Sequence, residues 1–378
     1  MGFVWAALVG PFSSVIILKS IGATSPQIGV FAAIGSIVNM ICQPFWGLIS
    51  DKTGSPRKVL CFCLGSSAVF YGCVFLTSSF YVAAGLFILN NIFICCIVSL
   101  LDSHIMYEIY ATPSLQYSHF RLAGSIFYGG FSFLYSKVIN ALSVKAIIPI
   151  SLCVAALAIY WGLVAAKGQW EAGPSHGSGV PRVKRNLIKE AASLLQNKQY
   201  IILIFFTALI ALAVQPIFTF IIDYAGKVGG NPGHVPLIQA IRCIVELPIF
   251  LFIGSAGKRL AAKKLIVSGI CFYFVYVSGL FFANSLSLLA VCHMMGAAGN
   301  ILILTGRLRY LTEITPISMR STSITLISVG EIFLGSTIGN LLGGFLLGKI
   351  GPHALTLVSL LALIAAALTL TRIAKSND

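Results

Sequence analysis

Residues 47–58 read Gly-Leu-Ile-Ser-Asp-Lys-Thr-Gly-Ser-Pro-Arg-Lys. They form a short charged turn between two long apolar runs, at about 26–49 and 57–77. One acid, Asp51, is followed by Lys52, Arg57 and Lys58, in a chain of 378 residues with only 10 Asp and Glu. Gly47 and Gly54 permit close helix approach and a tight reversal around these charges. Such a turn reads either as a specialised loop at a membrane surface or as an ordinary solvated turn. The rest of the chain decides between them.

Hydrophobic residues make up 58% of the chain and charged residues 9%, and the mean hydropathy is +0.95. These values exclude a soluble globular protein. A bilayer core requires about 20 apolar residues per helix. On that measure the chain divides into twelve spans, at 1–19, 26–49, 57–77, 80–103, 119–142, 146–166, 199–222, 233–254, 262–282, 285–306, 320–347 and 351–373. Aromatic and β-branched residues lack the alternation of a membrane barrel, so the expected fold is all-α, a polytopic helical bundle.

The net charge of +15 does not point to nucleic acid, because the bases are segregated by loop. Arg57, Lys58, Arg182, Lys184, Arg185, Lys258, Arg259, Lys263, Lys264, Arg307 and Arg309 fall on one side, and Lys19, Lys137, Lys145, Lys227 and Lys349 on the other. The positive-inside rule then places both termini in the cytoplasm, in a plasma or inner cell membrane. The cysteines all lie inside the apolar spans, where they read as small packing residues. The apolar N-terminus lacks the basic region of a signal peptide and reads as the first span. No metal-ligand spacing, cofactor motif, nucleophile elbow or phosphate loop occurs, so the chain does not read as an enzyme.

Residues 167–198 break the apolar pattern with Gly168, Gly173, Pro174, Gly177, Gly179 and Pro181, followed by a basic amphipathic run. They divide the chain into a six-helix bundle over 1–166, a cytoplasmic linker over 167–198, and a second six-helix bundle over 199–378. A faint repeat agrees. Thr24-Ser25-Pro26-Gln27 opens the second span, and Gly230-Asn231-Pro232-Gly233 opens the eighth at an offset close to 206 residues. Parallel repeats of this kind carry a substrate site near mid-membrane in transporters.

An ionisable side chain in the hydrocarbon costs about 2.5–3.5 kcal/mol on insertion scales, so those present need a partner or a role. Asp102 ends the fourth span and Arg121 opens the fifth, at comparable depth on neighbouring helices. Asn91 precedes Asp102 by three helical turns and shares its face. Arg121, Ser125, Tyr128, Ser132 and Tyr135 form a polar stripe on the fifth span, which reads as a pore wall or as interhelical hydrogen bonding. An Arg there suits hydroxyls or a carboxylate, and tyrosines suit stacking on a ring.

Arg242 and Glu246 are one turn apart on the eighth span, with Gln239 on the same face. They read as a self-neutralised pair or as a cavity-facing acid. His293 in the tenth span, with Asn300 on its face, reads as a structural donor or a functional group. Glu331 lies near the middle of the eleventh span, followed by Gly335, Gly339 and Gly343, a stripe that reads as a close-packing surface. Ser36, Asn39 and Gln43 give the second span a lesser polar face.

Several of these segments carry a family resemblance. Residues 47–58 resemble the loop between helices two and three of the major facilitator superfamily, written G-x-x-x-D-R/K-x-G-R/K-R/K, with Ser55 and Pro56 interposed before the basic pair. Leu101-Asp102-Ser103 and Phe120-Arg121-Leu122-Ala123-Gly124-Ser125 resemble the LLDA…RLWGS signature of the lactose-permease-like subgroup, which also contains phenylpropionate-permease-type transporters. Glu246-Leu247-Pro248-Ile249-Phe250 resembles its E-V/I-P-x-F segment, and Val291-Cys292-His293-Met294 its histidine on helix ten. The resemblance implies a twelve-helix, two-bundle facilitator. It implies that Asp102 and Arg121 bind substrate, that Glu246 serves substrate binding and proton coupling, and that Asp51, with Arg57 and Gly47, latches a cytoplasmic gate. Three positions depart from the pattern: Ala123 replaces an aromatic, Gly296 the proton-carrying acid one turn after the histidine, and Ala290 the basic residue one turn before it.

The sequence therefore leads to a secondary transporter of alternating access, a monomer in the bilayer that couples uptake of a small organic solute to protons. Sugars, nucleosides and aromatic acids all suit its polar groups. Asp102, Arg121, Tyr128, Asn91, Ser125 and Tyr135 are the expected substrate residues; Glu246, His293 and Glu331 are the expected proton-coupling residues. An exporter or uniporter is the alternative within transport, and a non-transporting receptor or scaffold the alternative outside it.

Overall fold

The computed structural model describes residues 2–53, 56–102, 105, 117–162, 187–254, 260–316 and 319–372. Among them every regular element is helical and there is no strand. In chain order the helices are α1 Gly2–Phe12, α2 Ser14–Ser20, α3 Ser25–Thr53, α4 Pro56–Cys73, α5 Phe80–Ile94, α6 Tyr117–Ala141, α7 Ile147–Tyr160 and α8 Leu187–Gln196. There follow α9 Lys198–Thr219, α10 Ile221–Lys227, α11 His234–Gly254, α12 Ala262–Phe282, α13 Leu286–Ile314, α14 Arg320–Gly330, α15 Ile338–Lys349 and α16 Pro352–Leu370.

Among the described residues, ten helical stretches are long and apolar enough to cross a membrane. The two further expected spans fall on α6, whose polar stripe lowers its hydropathy, and on the shorter apolar stretch Val144–Tyr160. Leu76, Tyr81, Phe282, Leu361 and Leu368 expose 64–85% of their surface. Large apolar side chains so exposed need a lipid solvent. The linker expected over 167–198 is described only from Leu187, where α8 forms. Asn197 then caps α9, its Oδ1 accepting from the amides of Gln199 at 3.0 Å and Tyr200 at 3.4 Å.

The chain forms two compact units. The first comprises Met1–Thr24, Ile37–Val180 and Asn231–Leu247; the second comprises Ser25–Ser36, Pro181–Gly230 and Pro248–Asp378. In the first, a core of Leu8, Leu60, Cys63, Ile97, Leu101 and Val154 is almost fully enclosed. Two polar side chains in this unit are paired internally, which offsets the cost of burying them in an apolar interior. Ser67 Oγ donates to Asn90 Oδ1 at 2.6 Å, and Trp46 Nε1 to the Ile92 carbonyl at 2.7 Å.

In the second unit, the glycine stripe expected on the eleventh span is a packing surface. A Cβ at Gly335 would stand 2.3 Å from Ala211 Cβ, and one at Gly343 would stand 2.8 Å from Pro216 Cβ. The stripe thus accepts α9 around Pro216, a residue that lacks an amide to donate. Between α14 and α15 the backbone widens into a π-helical segment, Glu331–Thr337. Thr337 Oγ1 donates to the Ile332 carbonyl five residues back, at 3.0 Å. Such segments are rare and concentrate at functional positions.

A candidate substrate site and two carboxylate–arginine pairs

In the first unit α6 and α11 run together along a close seam. A Cβ at Gly129 would stand 3.0 Å from Cys243 Cβ, and one at Gly233 only 2.3 Å from Asn140 Oδ1. Glycine at these two contacts lets the backbones approach. One turn from Gly129, Ser125 Oγ donates to Glu246 Oε2 at 3.0 Å. Arg242 Nε stands 3.5 Å from Glu246 Oε1, and both side chains of that pair are 18% exposed. The separation is long for a hydrogen bond and short for a Coulomb contact. Glu246 is therefore held by a hydroxyl from one helix and a charge from its own. Tyr128, half-buried on α6, lies near the same group of residues.

The other expected substrate residues are distributed differently. Asp102 ends the span Phe80–Asp102 and is half-buried. Arg121 is on α6, one turn before Ser125; its side chain lies outside the described residues. Asn91 is half-buried on α5, while its neighbour Asn90 is the buried residue bonded to Ser67. Tyr135 is not brought to Glu246. It is fully enclosed, and its hydroxyl shares a 2.6 Å hydrogen bond with Ser151 Oγ. Of the expected gate, Arg57 is buried, and among the described residues no atom beyond the local helix backbone comes within 4 Å of a Cβ placed on Gly47. The side chain of Asp51, and Gly54 and Ser55 beside it, lie outside the described residues.

The second unit holds a small cavity of about 50 Å³, bordered by Thr207, Gln215, Phe218, Tyr273, Asn300, Arg307 and Glu331. That volume admits a few waters. Arg307 donates to Glu331 in a tight ion pair, with side-chain exposures of 19% and 24%. Tyr273 donates to Asn300 Oδ1 at 3.3 Å. Glu331 is the first residue of the π-helical segment, whose wider turn sets its carboxylate beside this cavity. Sequence reasoning placed Arg307 in a cytoplasmic loop. The structure extends α13 to Ile314 and makes Arg307 an intrahelical residue. No periodicity marked it, because Arg309 and the following polar residues resemble a loop.

His293 is fully buried in α13. Its Nε2 lies 3.1 Å from the Tyr276 hydroxyl and its Nδ1 lies 3.2 Å from the Leu289 carbonyl. A neutral ring satisfies both contacts, with Nδ1–H donating to the carbonyl and Nε2 accepting from tyrosine. The ring also meets Phe218, a cavity wall, edge-on at 6.0 Å. A Cβ on Gly296 would stand 2.9 Å from the Tyr276 ring. The position at which lactose permeases carry an acid is thus filled here by the ring that holds His293.

The chain matches the MFS_1 like family over residues 3–358. It is 25% identical over 375 residues, 94% of this chain and 88% of the relative, to the uncharacterized transporter YwbF of Bacillus subtilis (strain 168). Among solved structures, a mutant of the nucleoside transporter NupG superposes with a TM-score of 0.81 at 14% identity, over 98% of this chain and 96% of that one. Unmutated NupG superposes with a TM-score of 0.78 over the same shares, also at 14% identity. A bacterial homolog to the human lysosomal transporter Spinster, inward-facing and unoccupied, gives 0.66 at 11% identity, over 99% and 95%. At these identities the structures show a common fold, the all-helical facilitator architecture expected from the sequence.

Proposed function

We propose, from the premise that the chain belongs to the MFS_1 like family of membrane transporters, that it is a proton-coupled symporter of a small organic solute. The observation that carries this reading is the Ser125–Glu246–Arg242 cluster, a partly exposed carboxylate held across two helices. Asp102 and Arg121 orient the solute, with Tyr128, Asn91 and Ser125 beside them. Protonation of Glu246 removes the charge that holds Arg242 and frees the Ser125 hydroxyl for the solute. Rocking of 1–166 against 199–378 about the 167–198 linker then opens and closes access, with Asp51, Arg57 and Gly47 at a cytoplasmic gate and both termini in the cytoplasm. The chain acts as a monomer in the cell membrane.

Glu331 is the second candidate for the proton, with Arg307 as the charge that its protonation would release. His293 serves as a neutral support for the cavity wall. Hydroxyl, amide, Arg and tyrosine groups suit a ring with several hydroxyls. Nucleosides are the first class to test, since the well-superposing NupG is a nucleoside transporter; sugars and aromatic acids follow. A facilitative uniporter is the competing reading, and the packing of Gly296 on Tyr276 favours it by leaving no acid one turn from His293.

External pH is measured in a lightly buffered, de-energised suspension of cells expressing the chain, as each solute class is added. Alkalinisation with one class, lost in Glu246→Gln, supports symport. Counterflow of a labelled solute with no pH change contradicts it and leaves the uniporter.

A further inference from the structure

We propose that the groove between α4 and α7 binds an acyl chain of an anionic phospholipid, whose phosphate is met by Lys145. The groove encloses about 570 Å³ within the first unit. Gly65, Ala68 and Gly72 recess one wall, and Ile148, Leu152 and Ile159 form the other. Apart from the Cys73 thiol its lining is hydrocarbon, and Val69 at its rim is 63% exposed. A slot of this kind on a membrane-embedded helix pair is filled by lipid; what makes it a site is its end. There the turn Val74–Leu76 and the loop after it meet Lys145, three residues before Ile148. The ammonium donates to the Thr77 carbonyl at 2.6 Å and to Ser78 Oγ at 3.3 Å. These contacts fix the cation at the mouth of the groove and use two of its three donors.

No Asp or Glu occurs between Asp51 and Asp102, or between Glu108 and Glu171, so the helices walling the groove carry no acid to neutralise it. A fixed cation beside an open hydrocarbon slot complements a phosphate joined to an acyl chain. A second copy of this chain is a poorer occupant, because its net charge is +15 and the unneutralised group here is itself a cation. The proposal does not depend on what is transported.

The full chain is purified in detergent and titrated with dioleoyl phosphatidylglycerol or dioleoyl phosphatidylcholine, with bound lipid counted by native mass spectrometry. Phosphatidylglycerol is expected to bind roughly fivefold more tightly, the worth of one lysine at an anionic surface. Lys145→Gln is expected to bring the two lipids level, Lys145→Arg to keep the preference, and Ala156→Phe, at an exposed position of the groove, to weaken both. Equal binding of the two lipids by the unsubstituted chain overturns the proposal, as does a preference that survives Lys145→Gln. A concentration-dependent dimer abolished by Ala156→Phe would also overturn it, by making a second copy the occupant. If Lys145→Gln fails to fold, the Arg and Ala156→Phe variants still decide.

Discussion

Arg307 and Glu331 offer a direct energetic test, because each is the other's closest ionic partner and both border the same small cavity. Glu331→Gln leaves a guanidinium that is 19% exposed facing a neutral amide, and Arg307→Gln strands a carboxylate that is 24% exposed. Removing one partner of a buried pair costs about 3–5 kcal/mol. The few waters that the cavity admits screen the stranded charge, which puts each single substitution near the lower end, at about 3 kcal/mol. The double substitution leaves two amides able to bond one another and no net charge. It should fall short of the sum of the singles by about 2–3 kcal/mol. The cycle is measured by equilibrium denaturation in mixed micelles, followed by tryptophan fluorescence. Additivity within about 0.5 kcal/mol would mean that the two charges do not interact, and would refute the pairing.

Other substitutions probe separate parts of the account. Ser125→Ala removes a hydroxyl bonded to a carboxylate, and apparent solute affinity should fall about tenfold, read as KM in uptake assays. Gly335→Leu drives a side chain into Ala211, where a Cβ alone stands 2.3 Å away, and should abolish folded protein in a detergent thermal-stability assay. Gly296→Glu restores the acid found in lactose permeases but meets the Tyr276 ring. It should destabilise the protein without adding to the proton coupling that Glu246 supplies, seen as a lower melting temperature with unchanged or lost pH response. Tyr276→Phe leaves His293 Nε2 without that hydroxyl and should cost about 1–3 kcal/mol of stability. Transport by the surviving protein should continue, which distinguishes a supporting histidine from a transporting one.

Much of the fold was legible because a membrane solvent writes itself into sequence. Apolar runs near the bilayer length, separated by basic turns such as 47–58, identified a helical bundle without reference to packing. The glycine stripe at Gly335, Gly339 and Gly343 was legible for a similar reason, since small residues at one per turn have few other uses in lipid. Less of the site was legible. Tyr135 seemed to continue the stripe of Ser125 and Tyr128, but ten residues at about 100° each leave it about 80° away from Ser125. That drift turns it into the bundle interior and onto Ser151. The Ser125–Glu246 contact joins residues 121 apart in sequence and depends on how closely α6 and α11 approach at Gly129. Glu331 was visible as an intramembrane acid, but its widened turn has no marker in residue type, and Arg307 looked like a loop base.

The measurement closest to the central claim is uptake into proteoliposomes containing the purified chain, with an inward proton gradient imposed and labelled nucleoside, sugar or aromatic acid outside. One class should accumulate above its external concentration, collapsing the gradient should abolish accumulation, and Glu246→Gln should lose accumulation while retaining counterflow. Equilibration of that solute without accumulation, unaffected by the gradient or by Glu246→Gln, would contradict proton symport and make the protein a facilitative uniporter.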